Sequence, residues 1–211
     1  MNQVAVITGG KRGIGKALVK KFLDESYNVA SCSKNEKNSE KNNVLVRVCY
    51  VSKIKYIKKF YDKVIKKFGR VDILVNNAGV AFYKKLDSTN LKEIDDTIDV
   101  NLRGVIYCTK IFLEQLKQSK GTLINISSGA GLSPFSNFSV YCASKYGVVG
   151  FSESLREELK DIRVYCVCPG PVDTGMYYKL FKEHPPTKPG DVAQKIFACI
   201  KGKYMPGVVE S

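Results

Sequence analysis

The sequence predicts an α/β fold, a single doubly wound parallel sheet with helices on both faces. Three observations indicate this class. Short and almost wholly apolar runs alternate along the chain with longer stretches whose apolar residues recur at helical spacing. Strands that are apolar on both faces are typical of a parallel sheet covered by helices on both sides. A glycine-rich turn joins the first strand to the first helix, and 211 residues are enough to bury one sizeable core.

The first unit is a strand at 4–7, the glycine turn, and a helix at 14–26 with apolar residues at helical spacing. The same alternation predicts further strands at 29–32, 44–48, 73–75, 122–126 and 164–167, and helices near 53–68, 90–118, 140–160 and 190–201. The polar segment 34–43 is too short for a crossover helix and predicts a loop or a single helical turn. The residues 204–210 allow one more short strand.

The formal net charge of +14 is the strongest oddity of the composition. It permits either a nucleic-acid partner or the attraction of an anionic ligand. The lysines between residues 53 and 67 alternate with apolar residues, as on a solvated helix face, and no basic stripe is interleaved with aromatic residues. We therefore expect no nucleic-acid partner, while a small anionic ligand stays open.

The seven cysteines lie mostly inside apolar runs, where they act as small hydrophobic residues in a reducing compartment. Cys166 and Cys168 lack a second cysteine pair, and the single histidine, His184, is far along the chain, so we expect no metal site. The sequence begins without a signal-type segment, and no apolar run approaches the roughly 18 residues of a membrane span. These features predict a cytoplasmic protein without a membrane partner.

The turn after the first strand is the strongest local signal for a ligand. It comprises Thr8, Gly9, Gly10, Lys11, Arg12, Gly13, Ile14 and Gly15. Glycines at this place let the backbone approach a pyrophosphate, and the N-terminus of the following helix offers free N–H groups. Glycines also close ordinary turns, but the strand before and the helix after favour a dinucleotide.

The end of the second strand predicts which dinucleotide binds. An NAD-preferring site places a carboxylate there to hold the ribose 2′-hydroxyl, whereas this chain has Ser33 and Lys34. Lys34 and Arg12 can pair with a 2′-phosphate, which predicts NADP rather than NAD. The alternative is that both residues are ordinary surface cations.

Several motifs occur in one order between residues 1 and 174 and together resemble the short-chain dehydrogenase/reductase family. They are Thr8-Gly9-x3-Gly13-x-Gly15, Asn76-Asn77-Ala78-Gly79, Asn101 in Val-Asn-Leu-Arg-Gly, Ser128, Tyr141-Cys-Ala-Ser-Lys145, and Pro169-Gly170-Pro-Val172-Asp-Thr174. One such motif arises easily by chance, but their order and spacing are specific. Ser128 is preferred to Ser127 because it has the family's spacing to Tyr141 and follows the strand, at the edge where open sheets bind ligands.

The resemblance implies a Rossmann-like fold and hydride transfer between NADP(H) and a carbonyl or alcohol substrate. Tyr141 would be the general acid and base, and Ser128 would hold the carbonyl oxygen. Lys145 would hold the nicotinamide ribose, and Asn101 would position a water that relays protons. Tyr141 and Lys145 are one helical turn apart. Catalysis near neutrality requires the phenol pKa to fall by about two to three units, which Lys145 and the oxidised nicotinamide could supply.

The length predicts one domain over 1–211, and the motifs divide it into a cofactor half at 1–126 and a catalytic and substrate-loop half at 127–211. Within it, Tyr50 stands where the family commonly has an aspartate near adenine, so the backbone of Val51 is the expected adenine contact. The expected cofactor-binding residues are Thr8, Gly9, Gly10, Lys11, Arg12, Gly13, Ile14, Gly15, Ser33, Lys34, Val51, Asn77, Ala78, Gly79, Asn101, Tyr141, Lys145, Pro169, Gly170, Val172 and Thr174.

The alternative function is a protein that senses or regulates through NADP(H) without turnover, against which the complete Ser-Tyr-Lys set argues. Apolar residues on more than one face of helices 90–118 and 140–160 predict a homodimer or homotetramer. The segment 175–184 predicts either an aromatic pocket wall or a lid helix. The expected substrate is a small carbonyl or alcohol compound whose identity the sequence does not reveal.

Overall fold

The computed structural model describes residues 2–210, which form a single eight-stranded sheet and seven α-helices. The strands are β1 (Val4–Thr8), β2 (Asn28–Ser33), β3 (Ser39–Lys41), β4 (Val44–Val48), β5 (Ile73–Asn76), β6 (Thr122–Ile126), β7 (Arg163–Cys168) and β8 (Gly207–Glu210). The helices are α1 (Gly13–Asp24), α2 (Ile54–Phe68), α3 (Leu91–Ile98), α4 (Gly104–Gln118), α5 (Ser139–Glu158), α6 (Gly175–Phe181) and α7 (Pro189–Ile200).

The strand order of the sheet is β3-β4-β2-β1-β5-β6-β7-β8, and only the β3–β4 pair is antiparallel. The chain winds outward from β1 through β2 and β4, then returns to the other side of β1 and continues from β5 to β8. This reversal opens a crevice at the carboxyl ends of β1 and β5, where sheets of this kind bind ligands. The doubly wound α/β class predicted from the sequence is confirmed.

Alternate side chains of each central strand face opposite helical layers. Ala5 and Ile7 of β1 pack in the layer that contains α1 and α7, whereas Val6 packs in the layer that contains α2 and α4. All three side chains are fully buried. Because helices cover both faces, the strands are apolar throughout, which explains the unbroken apolar runs in the sequence.

The predicted loop or helical turn at 34–43 instead contains β3, an exposed edge strand. The Arg47 side chain of β4 donates to the Ser39 carbonyl over 2.9 Å and pairs with Glu40. The Asn38 side chain accepts from the backbone N–H of Val48 over 2.8 Å. Polar side chains therefore stabilise this strand, and apolar periodicity does not reveal it.

The predicted helix at 90–118 is divided by a π-helical turn at Asp99–Arg103, which separates α3 from α4. A π turn adds a residue to the helix without ending it, so the apolar spacing on either side remains helical. None of the helices described between residues 2 and 210 combines the length and apolar character that a membrane crossing needs.

Candidate active site

A cleft of about 1150 Å³ opens along the carboxyl edge of the sheet. Loops that follow β1, β2, β4, β5, β6 and β7 form its walls together with α6. The volume exceeds the roughly 300–1,000 Å³ typical of a site for one small molecule. The cleft therefore has room for a large ligand and a second, smaller molecule.

The glycine turn after β1 requires glycine at several places. Gly9 and Gly13 have φ angles of +74° and +54°, in the left-handed region that favours glycine. A Cβ on Gly15 would lie 2.2 Å from the Gly9 carbonyl oxygen, so α1 could not begin this close to the turn. The sequence forms this tight turn because these glycines carry no side chain.

The loop after β5 holds the glycine turn in place. The Thr8 hydroxyl accepts from the backbone N–H groups of Asn77 and Ala78 over 3.0 and 3.1 Å. The Asn77 amide donates to the carbonyls of Thr8 and Gly9 over 2.9 and 3.2 Å. The two loops at the reversal between β1 and β5 therefore form one rigid wall of the cleft.

Most of the expected cofactor-binding residues line the cleft. Four of them do not and lie behind its wall: Thr8, Gly10, Gly15 and Asn101. A Cβ on Gly10 would lie 1.9 Å from the Ser31 hydroxyl, so Gly10 serves the packing of the turn. These four residues instead help to hold in position the neighbouring residues that do line the cleft.

The end of β2 presents cations to the cleft. The Ser33 hydroxyl accepts from the Lys11 backbone N–H over 3.3 Å, and both residues line the cleft. Arg12 and Lys34 are exposed, line the cleft, and form no salt bridge within residues 2–210. Asp96 is the only carboxylate among the described lining residues.

The loop after β4 places two expected neighbours of adenine side by side. Val51 is buried, whereas the Tyr50 side chain is 40% exposed, and both line the cleft. The Tyr50 ring lies 5.1 Å from the Tyr56 ring of α2. Tyr50 therefore offers the cleft an aromatic surface in place of a carboxylate.

Tyr141, Lys145 and Ser128 meet where β6 ends and α5 begins, and all three line the cleft. The Lys145 amine donates to the Ile126 carbonyl over 2.9 Å and lies 5.6 Å from the centre of the Tyr141 ring. Ser127 is buried and donates to the Lys145 carbonyl over 2.9 Å. The Ser128 hydroxyl accepts from the Ala130 N–H over 3.2 Å and acts to lower the pKa of the Tyr141 phenol.

Burial controls the protonation of both groups on α5. It raises the pKa of Tyr141 to about 12, while the Ser128 hydroxyl acts in the opposite direction. It lowers the pKa of Lys145 to about 8. Without cofactor, Lys145 does not offset the burial of the phenol, because a desolvated site disfavours both charged forms. The lowering expected from Lys145 together with the oxidised nicotinamide stays a prediction.

Asn101 lies in the π turn and is fully buried. Its amide donates to the Val80 carbonyl over 2.9 Å and to the Ser144 hydroxyl over 3.1 Å, and its oxygen accepts from the Val80 N–H over 2.8 Å. Ser144 precedes Lys145 on α5. The Asn101 side chain therefore ties the loop after β5 to the helix that carries Tyr141 and Lys145.

Aromatic side chains that the sequence analysis did not single out also line the cleft: Phe82, Tyr83, Phe135 and Phe138. The first two lie three and four residues after the Asn-Asn-Ala-Gly motif, so their place in the loop after β5 could have marked them as residues of the carboxyl edge. Segment 175–184 contains the short helix α6, and one side of α6 is a wall of the cleft. The residues of that side are Met176, Tyr177, Leu180 and Phe181.

The family model described as short chain dehydrogenase matches residues 3–185 of this chain. The chain belongs to the short-chain dehydrogenase/reductase family. This is a family of oxidoreductases, and the site described above lies within the matched residues.

Two relatives and one solved structure illustrate the similarity. The chain is 34% identical over 190 residues to a 3-oxoacyl-(acyl-carrier-protein) reductase of Chlamydia muridarum, covering 83% of this chain and 76% of the relative. It is 34% identical over 200 residues to the 15-hydroxyprostaglandin dehydrogenase [NAD(+)] of Mus musculus, and the alignment covers 86% of this chain and 71% of that relative. An alcohol dehydrogenase of Thermococcus sibiricus complexed with 5-hydroxy-NADP superposes with a TM-score of 0.90 at 26% identity, covering 100% and 96%.

Proposed function

We propose that the protein transfers a hydride between NADP(H) and a carbonyl or alcohol substrate, with Tyr141 as general acid and base. The convergence of Tyr141, Ser128 and Lys145 in the cleft that begins at the glycine turn is the observation that carries this function. The oxidoreductase class follows from the family, and the roles of these residues are our proposal.

The residues of the cleft suit a nicotinamide dinucleotide. The glycine turn can carry the pyrophosphate, and the Val51 backbone can meet the adenine. The loops at 77–79 and 169–174 line the same cleft as Lys145 and can enclose the nicotinamide end. A Cβ built on Gly79 would lie 4.0 Å from the Lys145 amine, so the Gly79 backbone is close to that amine. When bound, the cofactor supplies or accepts the hydride.

Tyr141 supplies the proton that carbonyl reduction consumes. Burial raises the pKa of the phenol to about 12 in the protein without cofactor, so the phenol carries the proton at neutral pH and can donate to a carbonyl oxygen. Lys145 and the oxidised nicotinamide would supply the lowering of that pKa which efficient proton transfer needs. The Ser128 hydroxyl can donate a second hydrogen bond to the same carbonyl oxygen, where negative charge develops. Lys145 would hold the nicotinamide ribose, and Asn101 would keep α5 in position. The water relay expected at Asn101 stays a prediction.

The preference for NADP rests on charge. Arg12 and Lys34 are unpaired within the described residues and flank Ser33, so a 2′-phosphate gains charge-assisted hydrogen bonds there. The names of similar proteins include both cofactor types, NAD(+) in one and an NADP derivative in another. The residues at the end of β2 therefore decide the proposed preference.

The proposed function divides the chain at Ser127, with the cofactor held mainly by the residues before it and the catalytic groups and substrate loops after it. We also propose a cytoplasmic location. All seven cysteines are buried free thiols, which suits a reducing compartment.

Replacing the phenol tests the function. In Tyr141→Phe we expect kcat with NADPH to fall by about 10²- to 10⁴-fold, because the proton donor is lost. The Kd for NADPH, measured by its fluorescence, should stay within about twofold. The matched control is Tyr146→Phe, an exposed tyrosine of the same helix, which should keep full turnover.

Two results would contradict the proposed function. Full turnover in Tyr141→Phe would remove Tyr141 from the mechanism. NADPH binding by the wild-type protein without oxidation across a broad panel of carbonyl compounds would favour the alternative of a sensor without turnover.

A further inference from the structure

Three aromatic rings from separate parts of the chain meet at the catalytic end of the cleft. Tyr83 follows β5, Phe138 precedes α5, and Phe181 ends α6. The ring centres of Tyr83 lie 5.2 Å from Phe138 and 5.0 Å from Phe181, and Phe138 and Phe181 stack at 6.0 Å. We refer to these three residues as the aromatic panel.

The aromatic panel is in contact with the group proposed to transfer the proton. The Phe138 ring lies 4.9 Å from the Tyr141 ring in an edge-to-face arrangement. Phe138 is buried, whereas Tyr83 is 43% exposed and partly open to the cleft. A molecule whose carbonyl reaches Tyr141 therefore lies beside aromatic carbon on the side of α6.

The side chains of α6 extend this apolar wall. Met176, Tyr177 and Leu180 line the cleft, and the Tyr177 ring lies 4.6 Å from the Phe181 ring. Apolar and aromatic linings of this kind favour ligands with flat apolar groups, since aromatic pairs add about 0.5–1.5 kcal/mol beyond the burial of surface.

None of the charged side chains that line the described cleft belongs to the aromatic panel or to α6. Arg12 lies in the glycine turn, Lys34 follows β2, and Lys145 belongs to the catalytic group. Lys11 also belongs to the glycine turn, and the two charged lining residues of α3, Lys92 and Asp96, form a salt bridge of 2.7 Å. A carboxylate or phosphate on the substrate would lie against the aromatic panel without a partner of opposite charge, which is costly.

We infer that the substrate is an uncharged carbonyl compound with a flat apolar group, of which an aryl aldehyde is the simplest form. The flat group lies against the aromatic panel while the carbonyl oxygen reaches Tyr141 and Ser128. Tyr141 protonates the carbonyl oxygen as the carbonyl π electrons move onto it, and the hydride for the new C–H bond would come from bound NADPH. The aldehyde would thereby become an alcohol and NADPH would become NADP⁺. This substrate class rests on the proposed function.

Three aldehydes test the substrate class with NADPH oxidation as the readout: 4-methylbenzaldehyde, 4-carboxybenzaldehyde and propanal. We expect kcat/KM for 4-methylbenzaldehyde to exceed each of the other values by at least about tenfold. Electronic effects do not favour this order, because a methyl group makes the carbonyl less reactive than a carboxylate does. Equal or higher efficiency with 4-carboxybenzaldehyde or propanal overturns the substrate class and leaves the proposed function intact. The absence of turnover across a broad carbonyl panel overturns both.

Variants of the aromatic panel test whether its rings cause the preference for the aryl aldehyde. Tyr83→Ala and Phe181→Ala should lower kcat/KM for 4-methylbenzaldehyde by about three- to tenfold, mainly through KM, since each removes an aromatic contact. The value for propanal should change by less than about twofold. Lys179→Ala, an exposed α6 residue outside the cleft lining, is the matched control and should change neither. Equal losses for both aldehydes, with unchanged NADPH Kd and circular dichroism, would show that the panel does not recognise the flat group.

Discussion

Lys145 is a buried amine whose surroundings oppose its charge. Its side chain is only 5% exposed, and the amine donates to the Ile126 carbonyl. Burial lowers its pKa from the ordinary 10.5 to about 8. The unfolded chain therefore binds more protons than the folded chain between about pH 8 and 10.5, so the free energy of unfolding should rise with pH across that window.

We predict that Lys145→Met is more stable than the wild-type protein below pH 8, and that the difference shrinks by about 3 kcal/mol between pH 8 and 10.5, at about 1.4 kcal/mol per pKa unit. Urea unfolding at a series of pH values measures it. Lys63→Met, at an exposed lysine of α2, should differ from the wild type by the same amount at every pH. A difference for Lys145→Met that does not depend on pH would show that burial does not penalise its charge.

At the other end of the cleft, Arg12 and Lys34 determine the predicted cofactor preference. The double variant Arg12→Ala/Lys34→Ala should bind NADPH about 10- to 100-fold more weakly, because charge-assisted hydrogen bonds to the 2′-phosphate are lost. NADH binding should change little. Calorimetric titration of both cofactors measures it, with Lys16→Ala/Lys20→Ala of α1 as the control. Equal weakening toward both cofactors would contradict the role of these cations.

At the scale of elements, the Asp173 side chain holds the segment that carries α6 by contacting residues beyond the end of that helix. Asp173 bonds with the His184 ring over 2.6 Å and with the Lys188 amine over 2.9 Å, and its N–H donates to the Thr187 carbonyl over 2.9 Å. The next residue, Thr174, caps α6 by accepting from the Tyr177 N–H over 3.2 Å. Asp173 thus joins the two ends of the segment that covers the catalytic groups.

Removing this carboxylate should loosen α6. In Asp173→Ala we expect trypsin to cleave within 175–188 about two- to fivefold faster and the aldehyde KM to rise by a similar factor. The effect is modest because exposed ion pairs contribute at most about 1 kcal/mol each. Asp161→Ala, an exposed aspartate outside the segment, is the control. Unchanged cleavage and KM would mean that other contacts hold α6.

For the whole molecule, the fold buries part of the apolar helix surface that predicted an oligomer. Many apolar residues of α4 and α5 that suggested a second interface are covered within the chain, such as Val105, Phe112 and Val148. Ile106 and Tyr146 remain 37% and 44% exposed on these two helices. The predicted association therefore depends on a smaller apolar surface than the sequence indicated.

Sedimentation velocity tests the predicted homodimer or homotetramer. We expect a species of at least twice the mass of one chain, and Ile106→Glu should shift it toward the monomer, because a charge would enter the apolar contact. Leu86→Glu, a charge placed on an exposed leucine away from these helices, should leave the mass unchanged. A wild-type protein that sediments as a monomer at micromolar concentration would contradict the prediction.

The strands and most helices were predictable because parallel strands buried on both faces leave apolar runs, and covering helices leave a helical period. The π turn at Asp99–Arg103 was not predictable, because the apolar spacing remains helical on either side of it. Among the expected catalytic residues, Tyr141, Ser128 and Lys145 were found by spacing and lie together. The aromatic panel was not found, since its rings come from three segments that only folding brings into contact.

The sequence by itself determined the α/β class, the glycine turn and the charge at the end of β2, because these depend on neighbouring residues along the chain. Only the tertiary structure decided how Tyr141 and Lys145 are protonated, which expected cofactor residues reach the cleft, and which rings surround the catalytic phenol. Burial and contact between distant segments set those properties, and neither is encoded in local spacing. In the protein without cofactor, for example, desolvation raises the pKa of the Tyr141 phenol to about 12, which spacing along the chain does not reveal.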